Sequence, residues 1–68
     1  MEFILIDRLE QKEYIVDSLD YSSRHIGSVT IIVDNVRGVK EVMTLYNIQL
    51  QKKLPGTIQP RYKLLIKD

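Results

Sequence analysis

The single histidine, His25, closes the run Asp20-Tyr21-Ser22-Ser23-Arg24-His25. A carboxylate, two hydroxyls and an imidazole are the group types of a nucleophilic triad. Triads, however, are assembled from distant segments held on rigid elements, beside donors that stabilise an oxyanion. A short consecutive run supplies neither, and its composition is that of an exposed polar loop. No catalytic residue is expected, and the chain is not read as an enzyme.

Metal and cofactor chemistry fare no better. With no cysteine and one histidine, only oxygen ligands remain. Asp17 and Asp20 are near neighbours but lack the carboxylate-dense, glycine-centred loop of a calcium site. Gly27, Gly38 and Gly56 are isolated in separate turns, so no glycine-rich loop can cradle a phosphate. Neither a metal nor a cofactor is expected.

The remaining candidate chemistry is charge. Ten basic and nine acidic residues give a net charge of +1 but are unevenly spread. Residues 1–24 carry six acids and three bases, whereas residues 25–68 carry seven bases and three acids. From Leu50 to Lys67 there are Lys52, Lys53, Arg61, Lys63 and Lys67 and no acid. Strands at 44–53 and 58–67 paired as a C-terminal hairpin would gather these residues into a phosphate-binding patch, the mark of a small nucleic-acid-binding β-barrel. The sequence pI of about 8.0 is modest for that role. The same lysines also suit an edge strand protected against aggregation. A second copy offers another use, the acidic third of one chain meeting the basic third of the other in a homodimer.

The composition favours strands. Alanine is absent, and nine Ile, six Val, three Thr, four Tyr and one Phe suit pleated surfaces. Sixty-eight residues allow one domain, read as 1–68, with 44% apolar residues to form its core. The first apolar run, Phe3 to Ile6, is far short of a membrane span of about 20 residues. The acid at position 2 does not suit a signal peptide. A cytoplasmic protein with no membrane partner is expected.

Along the chain, Phe3–Ile6 begins a first strand that runs to Leu9. A turn spans Glu10–Glu13 and a second strand Tyr14–Leu19, although Asp7 and Glu10 could also cap a helix over 8–20. Ser28–Val33 alternates as a strand, and Asp34-Asn35-Val36-Arg37-Gly38 reads as a turn. The segment 39–53 fits a helix through Val39, Val42, Met43, Tyr46 and Leu50. It fits a strand better through Val42, Thr44, Tyr46, Ile48 and Leu50 facing inward. Leu54-Pro55-Gly56-Thr57 is a type II turn. Ile58, Pro60, Tyr62, Leu64 and Ile66 then face the core, as do Phe3 and Tyr46. The fold class is mainly β: about five antiparallel strands in a meander, curling into a small barrel or sheet. An α+β fold with one helix at 8–20 or 39–53 is the alternative.

On this pattern Met43, Leu45 and Leu65 point outward and could form an apolar patch. The expected function is a small non-enzymatic interaction protein, such as a regulator, inhibitor or small subunit. It would bind another protein or itself through a sheet face or edge. Its candidate contacts are Lys52, Lys53, Arg61, Lys63, Leu65, Lys67, Met43 and Leu45.

Overall fold

The structure is a computed structural model that describes residues 2–22 and 25–67. Five strands and one helical turn follow in order: β1 (Glu2–Asp7), β2 (Lys12–Ser22), β3 (His25–Asp34), β4 (Lys40–Tyr46), α1 (Asn47–Leu50) and β5 (Tyr62–Lys67). Every pairing is antiparallel, in the spatial order β4-β3-β2-β1-β5. The domain is mainly β, and residues 8–20 belong to a hairpin rather than a helix. The first four strands form the meander. β5 leaves it, pairing with β1 instead of β4.

Each turn has a local cause. The β1–β2 turn occupies residues 8–11, earlier than the sequence pattern suggested, because Asp7 captures the chain. Its Oδ1 accepts from the backbone N–H groups of Leu9 at 3.0 Å and Glu10 at 3.3 Å. Asn35 organises the β3–β4 turn in the same way, accepting from Arg37 N–H at 2.8 Å and Val39 N–H at 3.0 Å. Gly38 supplies the positive φ of +76° that the turn needs.

β2 is the hinge of the sheet. Its first half pairs with β1, from Asp7↔Lys12 to Ile4↔Ile15, and its second half with β3, from Val16↔Ile31 onward. The register slips between Val16 and Ser18 and again between Asp20 and Tyr21. Such bulges bend a strand and increase its twist. The bend brings β1 and β5 over β3 and β4, so that all five strands contribute to one core. Leu5, Val29, Ile31 and Leu45 are buried at its centre, with Tyr14, Val16, Leu19, Tyr62 and Leu64 packed around them.

Two expectations about the second half need correction. β4 ends at Tyr46, and its inward residues are Leu45 and Met43, not Val42, Thr44 and Tyr46. Register decides this: Leu45 stands opposite Val29 and Met43 opposite Ile31, both core residues of β3. Thr44 lies on the other face, where its hydroxyl hydrogen-bonds that of Thr30 at 2.9 Å. The chain then turns into α1. Gln49 Oε1 accepts from Tyr46 N–H at 2.9 Å, and Asn47 Nδ2 donates to the Ile26 carbonyl at 3.0 Å. Leu50 packs against the core cluster from this turn.

The C-terminal hairpin is much smaller than expected. Arg61 N–H donates to the Lys52 carbonyl at 2.8 Å and Leu54 N–H to the Gln59 carbonyl at 2.9 Å. The Leu54–Thr57 turn is present, closed by Thr57 N–H to the Leu54 carbonyl at 3.1 Å, with Gly56 at φ +74°. Pro60 has no N–H to continue a ladder, and the strand starts only at Tyr62. Ile58 is accordingly exposed rather than in the core.

The face assignment of β4 is open to a direct test. In dilute solution Leu45→Ala should cost about 3 kcal/mol and Val42→Ala less than about 1 kcal/mol, measured by thermal unfolding. Equal losses would contradict the register.

Candidate interaction surface

The best-defined polar site joins the two ends of the chain. Asp7 is 3% exposed and is the one buried charged residue among those described. Arg61 grips it in a two-pronged pair, Nε to Oδ1 at 3.0 Å and Nη2 to Oδ2 at 2.9 Å. The guanidinium also lies 5.0 Å from the centre of the Tyr62 ring. Arg8 N–H donates to the Arg61 carbonyl at 2.9 Å, tying the backbones together at the same point.

The hydrogen bonds from Arg61, followed by those from the Glu10 and Leu9 amides, hold the Asp7 carboxyl below the ordinary aspartate range despite its burial. Burial in turn pushes the Tyr62 hydroxyl up. The site locks the first turn to the start of β5. Its carboxylate already accepts four hydrogen bonds, from the Leu9 and Glu10 amides and from Arg61 Nε and Nη2. Its chemistry is that of a structural clamp.

This clamp removes Arg61 from the candidate basic patch. The other members are exposed but dispersed. Lys52 and Lys53 lie on the small hairpin. Lys63 and Lys67 project from the outer face of β5, in the rows of Ile6–Glu13 and Glu2. One acid of the beginning and one base of the end are thus engaged within the chain, through Asp7–Arg61, and Glu2 stands opposite Lys67 in the register. The exposed tyrosines, Tyr21 and Tyr46, lie on β2 and β4, which do not adjoin β5 and its Lys63 and Lys67 in the strand order.

The three apolar candidates separate. Leu45 is in the core, Met43 is half-exposed on the inner side of β4, and Leu65 is on the outer face of β5 at the opposite edge. They form no common patch. Leu65 instead shares an outer row with Ile4 and Ile15, bordered by Glu2, Lys67, Glu13 and Lys63.

The sequence pattern missed a larger surface along β4. Val39, Val42, Met43, Tyr46 and Ile48 are all exposed, Val42 to 64% and Ile48 to 76%. Beside Val42 a shallow depression is lined by Asp17, Ile32, Lys40 and Glu41. β4 is also a terminal strand of the open sheet, so among the described residues one side of its backbone has no strand partner. Its charges lie at one end and are turned toward the β3–β4 turn. Lys40 Nζ is 3.1 Å from Asp34 Oδ1, and Glu41 Oε1 accepts from Asn35 Nδ2 at 2.9 Å. From Val42 to Tyr46 there is no charge. The inverted face assignment hid this surface. Its available signal was the density of apolar residues on both alternating faces of 39–48.

Of the triad-like run, Ser23 and Arg24 lie outside the described residues, and His25 is exposed at the start of β3. Among the described residues no group of three His, Cys, Asp or Glu side chains could hold a metal ion. No helix among them is long and apolar enough to cross a membrane. No family model, curated protein or solved structure matches the chain.

The clamp predicts a pH dependence. The folded pKa of Asp7 lies below its unfolded value of about 3.9. Its stabilisation is therefore complete above that value and is lost as pH falls through the folded pKa. At neutral pH Asp7→Asn should cost about 2 kcal/mol, less than breaking a fully buried pair because Arg61 can regain water. Thermal unfolding from neutral to strongly acidic pH should show the gap between wild type and Asp7→Asn closing. A gap that stays constant with pH would contradict the assignment.

Proposed function

We propose that this is a small non-enzymatic interaction protein of the cytoplasm that docks on another polypeptide through the β4 edge. The observation that carries the reading is the pairing of an unguarded strand edge with exposed apolar side chains. A free strand edge offers backbone donors and acceptors for an added strand, and the neighbouring side chains supply affinity. Natural sheets protect such edges with charges, prolines or short strands when no partner is intended. β5 has that protection, with Lys63, Lys67 and the preceding Pro60, whereas β4 from Val42 to Tyr46 has none.

The chain exposes 5378 Å², against about 4,450 Å² expected for a compact monomer of 8.0 kDa. The excess is spread over turns and both sheet edges, so the reading rests on the edge itself. Nucleic-acid binding has weaker support, because Arg61 is committed to Asp7 and the exposed tyrosines lie on strands that do not adjoin β5 with its Lys63 and Lys67.

A photo-reactive residue placed at position 42 should cross-link to a polypeptide in cells, and one at position 65 should not. Adducts confined to position 65, or adducts to nucleic acid from position 53 with none at 42, would overturn the proposal.

A further inference from the structure

We infer that the polypeptide taken by the β4 edge is a second copy of this chain, paired antiparallel about a two-fold axis at Met43. The inference rests on the β4-edge reading above and adds the identity of the occupant. A two-fold interface must be self-complementary, because the same patch is used by both copies. The β4 sequence meets that condition. With Met43 opposite Met43 of the other copy, Val42 lies opposite Thr44, two β-branched residues that suit cross-strand pairing. Lys40 lies opposite Tyr46, where its ammonium can leave the exposed Asp34 carboxylate, 3.1 Å away, and rest on an aromatic face. Glu41 lies opposite Leu45, so no like charges meet.

The same operation fails on β5. Centring on Leu65 sets Lys63 against Lys67, and centring on Leu64 sets Arg61 against Lys67. Like charges directly opposite are destabilising. The registers that overlap most of β5 thus set like charges together, whereas the Met43-centred register of β4 does not. Pairing would also extend the inner layer at Met43. Met43 continues the core row of Ile31 but has no strand beyond it, which is why it is half-exposed.

The test is sedimentation equilibrium of the full chain over a wide concentration range. The wild type should approach twice its 8.0 kDa mass. Val42→Lys should weaken association at least about tenfold, with an unchanged far-UV circular dichroism spectrum, while Leu65→Lys should leave it intact. Charge at position 46 checks the register separately. Tyr46→Lys, facing Lys40 of the other copy, should weaken the dimer, and Tyr46→Glu should retain it. A wild type that stays monomeric throughout would overturn the second copy. Loss of association in Leu65→Lys but not in Val42→Lys would overturn the β4 interface itself. The broader reading is judged apart from these results: a monomer that still cross-links from position 42 to a polypeptide of another mass keeps the β4 edge and loses only the self-pairing.

Discussion

The governing constraint is a shortage of interior. A chain of this length closes only a small core, here Leu5, Val29, Ile31 and Leu45. Among the described residues twelve large hydrophobic side chains remain exposed, and five of them, Val39, Val42, Met43, Tyr46 and Ile48, cluster along β4. The radius of gyration points the same way, at 12.3 Å against about 11 Å for a compact chain of this length. The sheet bends at the β2 bulges but does not close. Between Lys12–Ile15 of β2 and Ile32–Asp34 of β3 the strands separate around a cleft of about 350 Å³.

Within that constraint the Asp7–Arg61 pair is the fastening that lets the last strand join the first. Fifty-four residues separate the two side chains. The pair joins one acid of the beginning to one base of the end, the one ion pair between those two parts among the described residues. With β5 committed to β1, β4 is left as a free edge. The clamp and the exposed β4 surface are two consequences of one topology.

Much of the architecture was legible because its signals are local. Ser28–Val33 alternates cleanly, Gly38 and Pro55-Gly56 carry the conformations their turns require, and β-branched residues dominate. The face of β4 was not legible. Apolar residues occupy both alternating sets, Met43 and Leu45 on one and Val42 and Tyr46 on the other, so periodicity alone could not choose. The register against Val29 and Ile31 decides it. The end of β4 depended on two side-chain bonds, from Tyr46 N–H to Gln49 and from Asn47 to Ile26, and the second spans twenty-one residues. The partnership of Asp7 with Arg61 was beyond reach for the same reason. Opposite charges in the two ends restrict the pairings without selecting one, and Arg61 was therefore assigned to a surface patch it does not join.

The account turns on β4 being the edge the molecule uses. Amide hydrogen exchange, followed residue by residue as protein concentration rises, tests this most directly. The β4 amides that make no bond to β3 should exchange freely in dilute solution and become protected on concentration, while the outward amides of β5 remain fast. Protection that appears on β5 instead, or β4 amides that stay equally fast at every concentration, would contradict it.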